Sequence, residues 1–303
     1  MAQKCLLPDR SVFVISGPDA PDFLQNLLTN NVDALKEGQA QYTLLLTPQG
    51  KYLFDFFLLR DGERFLVDCD KAAAPLLIKR LSFYKLRAKV EITDLSADWS
   101  VAGVWQNADD GTGSAGEAIA LPAIADAYAF IDPRLPALGH RFLLPAANAE
   151  AALASLTGNA TTAADYDLFR LQLGVPDAED LQSERTFPME AGLDLLHAID
   201  FHKGCFVGQE VTSRTYRQGK IRKRLLPVHT VGDMPAAGHV IMAGDRQAGE
   251  IHSMRGQMGL ALLRLDRLGQ PLDIGGVDID YSWPHWLPQQ DAADGNDPVD
   301  GIE

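Results

Sequence analysis

The sequence predicts an α+β chain of three units: a split β-α-β unit, a second mixed α+β section, and a small carboxy-terminal β-barrel. Three observations carry this expectation. Strand-like and helical periodicities alternate over residues 11–94, an irregular passage breaks the pattern after Gly174, and short glycine-punctuated β-runs fill the chain from residue 221 onward. At 303 residues the chain is longer than a single hydrophobic core usually grows. Its 46% hydrophobic and 22% charged content excludes disordered and fibrous classes.

Residues 11–16 alternate Val12 and Val14 with Phe13 and Ile15 and stop at Gly17-Pro18, the pattern of a buried strand closed by a turn. A helix follows: Asp19 or Asp22 can cap it, Pro21 suits its first turn, and Phe23, Leu24, Leu27 and Leu28 form one apolar face. Runs 42–47 and 51–60 read as a hairpin joined by Pro48-Gln49-Gly50, and Asp61-Gly62 turns the chain into a third strand at 64–68. A helix over 71–85 and a strand over 88–94 complete a β-α-β-β-α-β, ferredoxin-like unit assigned to residues 1–97.

Residues 98–220 make the second unit. Strands are expected at 100–106, 128–131 and 141–144, with a flexible Asp/Gly-rich stretch at 107–117 and helices at 147–156 and 164–173. The chain then runs irregularly past Pro176, Pro188 and Gly192, and long loops inside compact domains often carry function. The β-runs 223–231, 239–243, 247–252, 259–265 and 277–283 define the barrel, residues 221–288, and the acid-rich 289–303 is expected to be a disordered tail.

A net charge of −14 disfavours general nucleic-acid binding and anionic membranes. The longest apolar stretch, 52–59, is broken by Asp55 and falls far short of the roughly 20 residues that span a bilayer. The first residues lack the apolar core of a secretory signal and the character of a transit peptide, so a cytoplasmic protein is expected. Cys5, Cys69 and Cys205 form no CxxC pair and are read as free thiols, and the seven histidines lack chelating spacing, so no metal site is assigned within the chain.

The stretch Lys203-Gly204-Cys205-Phe206-Val207-Gly208-Gln209-Glu210 leads directly out of the irregular passage. Gly208 reads as the opening of a helix whose first turn holds Gln209 and Glu210. A thiol at Cys205 would then feel the Lys203 ammonium and a helix dipole, both of which favour thiolate. The alternative is a small buried filler, the common fate of a free cysteine.

This string resembles the cysteine signature of the YgfZ family of folate-binding proteins, relatives of the glycine cleavage system aminomethyltransferase (T-protein). GPDAPDFLQNLLTNNV (17–32), TPQGKYLFDFFLLR (47–60), DLFRLQLGVPD and FPMEAGLD (within 167–194) are similar to further segments of that family, in order. The resemblance implies two ferredoxin-like subdomains and a β-barrel around a central channel, tetrahydrofolate in that channel, and a role with the iron–sulfur assembly machinery or its client proteins. Where the transferases carry an aspartate pair this chain reads Phe54-Asp55, and Gln172 stands where they usually have glutamate. Phe206 keeps the ring of the usual tyrosine without its hydroxyl.

From the match, Asp55, Arg170, Glu190, Lys203, Gln209 and Glu210 are candidate folate contacts, with Cys205 as a reactive or ligand thiol at the channel mouth and Asp55 a second candidate for chemistry. Glu190 also reads as a loop acid, and Arg170, on an otherwise apolar helical stretch, needs either a structural carboxylate or a ligand. The basic run 214–224 suits a glutamyl tail, a phosphate or a solvated face. The favoured function is a folate-binding accessory factor in iron–sulfur cluster assembly or repair. A folate-dependent one-carbon transferase using Asp55 and Glu190, and a tRNA-interacting or tRNA-modification protein acting through the basic run, are the alternatives.

Overall fold

The computed structural model describes residues 1–106, 127–219, 221–232 and 236–288. The Asp/Gly-rich stretch 107–117, Lys220 and the acidic segment 289–303 lie outside the described residues. The chain runs β1 (Ala2–Leu6), β2 (Arg10–Ser16), α1 (Ala20–Leu27), β3 (Ala40–Leu46), β4 (Tyr52–Asp61), β5 (Arg64–Asp70), α2 (Ala74–Tyr84) and β6 (Glu91–Asp94). Next come β7 (Trp99–Gln106), β8 (Tyr128–Ile131), β9 (His140–Pro145), α3 (Ala149–Ser155), β10 (Asn159–Ala160), α4 (Ala163–Gln172) and α5 (Gln209–Gln218). The last strands are β11 (Lys223–His229), β12 (Val240–Ala243), β13 (Arg246–Arg255), β14 (Met258–Arg264), β15 (Leu272–Ile274) and β16 (Val277–Tyr281).

The first sheet has the order β3-β4-β5-β2-β6, with every pairing antiparallel. It carries three meander strands between its helices where a ferredoxin-like unit has two. One face, including Phe13, Ile15, Phe56, Leu58 and Val67, packs on Phe23 and Leu24 of α1 and Leu77 and Leu81 of α2. The opposite face, including Val12, Tyr42, Leu44, Phe57 and Leu59, joins the core shared with the second unit. Burial on both faces explains why β4 reads as a nearly continuous apolar run rather than an alternating one.

The second sheet has the order β10-β1-β7-β9-β8. Strand β1 was not among the expected elements, and it pairs antiparallel with β7 and parallel with β10. Residues 1–97 therefore do not make up one unit: β1 belongs to the second sheet and only the chain from β2 onward builds the first. Helix α3 covers the face formed by Ala102, Val104, Phe142 and Leu144.

The carboxy-terminal strands close into a six-stranded barrel, β11-β14-β13-β12-β15-β16, around Leu226, Val228, Ile241, Ile251, Leu263 and Ile279. Trp286 ties the barrel to the second unit by donating its indole N–H to Leu173 O at 2.8 Å. Gly192 makes room for that ring, since a methyl group there would lie 2.8 Å from it. The architecture is α+β, two α+β subdomains and a closed barrel.

Candidate functional site

Where the three units meet, charge is buried in quantity. Asp68 of β5 accepts from Arg10 Nε at 2.7 Å and from Arg141 Nη2 at 2.7 Å, so one carboxylate joins both sheets. Asp132 accepts from Arg134 at 2.8 and 3.0 Å, and Asp177 accepts from Arg10 at 3.2 Å. The guanidinium carbons of Arg10, Arg134 and Arg141 stand 5.6, 4.9 and 4.2 Å from the centroid of the Phe57 ring. Buried ions are tolerated when each is paired and hydrogen-bonded, as these are. None of these residues is a sequence candidate; the available signal was single charges inside apolar strands, Asp68 in RFLVDCD and Arg141 in HRFLLP.

Asp55 lies just behind the network. Tyr52 donates to one of its oxygens at 2.6 Å and Tyr42 to the other at 3.0 Å, and the residue is buried. Burial, reinforced by the nearby Asp177 charge, raises its carboxyl above the ordinary range. Burial works in the same direction on Asp177, but Arg10, Arg134 and Arg170 outweigh it and hold that carboxyl well below the ordinary range.

Beside the network opens a cavity of about 560 Å³ lined from all three units. Arg10, Asp70 and Lys71 come from the first, Arg141, Tyr166, Arg170 and Asp177 from the second, and Arg255 from the barrel. Tyr166 packs edge-on against Trp105 with ring centroids 5.1 Å apart, and its buried hydroxyl has no hydrogen-bond partner. Arg170 is the one sequence-predicted residue on this wall, and its guanidinium is spent on Asp167, Glu179 and the fully buried Asp180. Structural carboxylates are its partners. Asp55 is not among the lining residues, and neither are Glu190, Lys203, Gln209 and Glu210.

Those residues sit elsewhere. Lys203 Nζ donates to the carbonyls of Gln25, Leu28 and Asn30 at 2.7, 2.6 and 2.9 Å, so it caps the carboxy-terminal end of α1. The expected Lys203 ammonium beside the Cys205 thiol gives way to this cap. Gly208 has φ +86° and opens α5 as its N-cap, as the sequence led one to expect. A methyl group on it would lie 2.6 Å from Thr47 O and 3.0 Å from Gly50 Cα, so the motif is seated on the first hairpin turn. Gln209 donates its amide to Gly204 O at 3.3 Å, and Glu210 pairs with Arg214 at 3.0 Å on the exposed face of α5. Phe206 is buried, whereas Cys205 is exposed; Cys5 and Cys69 are buried.

Glu190 is half-buried, its carbonyl accepting from Leu225 N at 2.8 Å. Burial raises its carboxyl, and Lys223 and Arg224 pull it back. The basic run does not form one face: Arg224 is buried and donates to Met189 O, Arg214 is paired with Glu210, and Arg217 and Arg222 are exposed.

The fold is similar to that of the glycine cleavage system aminomethyltransferase T from Bartonella henselae, with a TM-score of 0.73 at 17% identity over 94% of this chain and 86% of that one. Residues 9–105 match the GCVT N-terminal domain and residues 222–289 the CAF17 C-terminal beta-barrel domain. These matches define a protein with the aminomethyltransferase architecture. The mitochondrial iron–sulfur cluster assembly factor IBA57 of Homo sapiens is 31% identical over 306 residues, 93% of this chain and 84% of that protein. Homologues from Mycosarcoma maydis and Neurospora crassa are 36% and 35% identical over 76% and 73% of this chain. The chain belongs to the IBA57 family of iron–sulfur cluster assembly factors. It spans only 58% and 52% of the length of those two fungal relatives. The relatives are named IBA57 where the cysteine motif pointed to YgfZ. Their mitochondrial designation overturns the cytoplasmic expectation drawn from the first residues.

Proposed function

We propose that this protein serves iron–sulfur cluster assembly by presenting the Cys205 thiol to a cluster-carrying or cluster-receiving partner, while a reduced folate occupies the three-way cavity. The contrast among three thiols carries this reading. Burial pushes Cys5 and Cys69 up to about 12, and both are out of reach of a partner. Cys205 is exposed on a loop held on either side, by Lys203 on the end of α1 and by Gly208 on the hairpin turn. A loop so held offers its sulfur at a defined place. One thiol supplies one ligand, and clusters take about four, so the cluster is cargo whose remaining ligands come from the partner.

A cavity of about 560 Å³ accepts a ligand of folate size, and the unpartnered Tyr166 hydroxyl on its wall is a polar group awaiting one. Tyr166 would hydrogen-bond the ligand, and the exposed Lys71 at the wall would meet the carboxylates of a glutamyl tail. Tetrahydrofolate, when bound, supplies a reduced pterin that carries one-carbon units. Asp55, closed in by two tyrosine hydroxyls, is not offered to that cavity, which weighs against a one-carbon transferase built on it.

Two experiments test the two halves separately. In a strain lacking its own family member, the Cys205→Ala chain should fail to restore cluster-enzyme activity; full rescue would remove the role given to the thiol. Titration with tetrahydrofolate should raise Tm, because a ligand bound only by the folded form stabilises it. No shift at saturation would remove the folate and leave the thiol role standing.

A further inference from the structure

Residues 71–90 carry six cations, Lys71, Lys79, Arg80, Lys85, Arg87 and Lys89, and no acid, in a chain of net charge −14; the rest of the molecule therefore carries −20. Helix α2 turns one face to its sheet through Leu77 and Leu81. Its other face is a stripe of Leu76, Lys79, Arg80 and Phe83 at helical spacing, and Leu86 and Arg87 follow just past the helix end; Leu76, Phe83 and Leu86 are 62, 72 and 84% exposed. None of these three cations makes an ion pair among the described residues. Exposed apolar side chains ringed by unpaired cations mark an interaction surface rather than a solvated face.

The stripe connects to the thiol motif. Arg80 and Tyr84 of α2 line a cavity of about 310 Å³ together with Thr47, Pro48 and Gln49 of the hairpin turn. Gly50 of the same turn is in contact with Gly208 and Thr212. A partner seated on α2 would thus bear on the turn that seats the motif.

We infer that the outward face of α2 is the docking surface for an acidic, partly apolar protein surface, and, resting on the assembly reading above, that this surface belongs to the protein whose cluster meets Cys205. A phosphodiester backbone has no use for Leu76, Phe83 and Leu86. An anionic bilayer extends past the stripe and would also face the −20 carried by the rest of the chain, whereas the acidic cluster of a protein can be confined to the stripe. For an acidic protein, the cationic stripe steers the encounter and the three apolar side chains supply the contact area.

The test places a photo-crosslinking amino acid at position 83 of the full chain in cells, identifies the adduct by mass spectrometry, and measures affinity with the identified protein purified. The expected result is an adduct to a protein with an acidic surface cluster. Its affinity should fall by about tenfold or more in the Lys79→Glu, Arg80→Glu variant and return when acids of the partner are changed to lysine. An adduct to a second copy of the chain, binding only to phosphatidylcholine–cardiolipin vesicles, a protein adduct indifferent to the charge reversal, or no adduct would each overturn the inference. Cluster-enzyme activity is scored in the same strains. If deleting the protein costs no such activity, the assembly reading fails whatever the adduct. If deletion costs activity that the charge-reversed variant fully restores, the docking surface fails alone.

Discussion

The backbone of Gly50, in the turn of the first hairpin, touches that of Gly208, in the cysteine motif: a side chain on Gly208 would begin 3.0 Å from Gly50 Cα and 2.6 Å from Thr47 O. Gly208 also sits at φ +86°, where an L side chain is strained. Gly208→Ala is therefore expected to destabilise the protein by at least about 2 kcal/mol and to release the motif loop. Gly204→Ala, with open space around it, should stay within about 0.5 kcal/mol. Urea denaturation of the two variants checks this, and equal losses would contradict it.

Lys203 satisfies three carbonyls at the end of α1. Lys203→Met keeps the stem and removes the donors, and should cost about 2–3 kcal/mol. Added tetrahydrofolate should raise Tm by the same amount as in wild type, since Lys203 lies off the cavity. A variant that keeps its stability but loses the ligand response would return Lys203 to a binding role.

Arg170, 2% exposed, is ion-paired with Asp180, Asp167 and Glu179, the last two also paired with Arg255. Arg170→Met strands the fully buried Asp180 and is expected to cost about 3–5 kcal/mol, read as a lowered urea midpoint. The double change with Asp180→Asn should recover part of that loss.

Tyr166→Phe deletes a hydroxyl that has no partner, so the unliganded protein should be as stable as wild type or up to about 2 kcal/mol more so. The Tm rise on adding tetrahydrofolate should shrink in the same variant. A full ligand response would place the folate contacts elsewhere.

Asp55 and Asp177 give stability opposite dependences on pH. Asp55 has a raised folded pKa, so its folded form holds a proton that the unfolded chain releases above about pH 4. Its stabilising contribution is complete below that pH and is lost as pH rises through the folded value. Asp177, held low, contributes above about pH 4 and loses that contribution as pH falls through its folded value. The Asp55→Asn variant should therefore gain on wild type in urea midpoints as pH rises from about 4 through the folded pKa of Asp55, and level off above it. A difference that stays constant from about pH 4 upward would mean that the folded carboxyl is not raised.

Legibility in the sequence follows the range of the interactions involved. The spacing of Phe23, Leu24 and Leu27, the Pro48-Gln49-Gly50 turn and the glycine opening of α5 were readable because a helix face, a tight turn and a helix start are set by residues within a turn or two. Strand β1 was not readable: AQKCL is short, and both of its partners, β7 and β10, come from distant chain. The Lys203 cap was not readable for the same reason, since its acceptors lie at the end of α1. Gathering Asp55, Glu190 and the motif into one folate site was an inference from resemblance. The cavity instead draws on Arg10, Lys71, Arg141, Tyr166 and Arg255, whose neighbourhood in sequence carries no shared pattern.

By itself the sequence determined the α+β class, the glycine-punctuated barrel and the identity of the motif that carries the thiol, because periodicity, turn chemistry and a contiguous string are local properties. Only the tertiary structure decided which thiol a partner can reach, which cations are spent on carboxylates and carbonyls, and where the three units leave a cavity. Burial and ion pairing depend on which distant residues are brought within a few ångströms, and no local pattern records that.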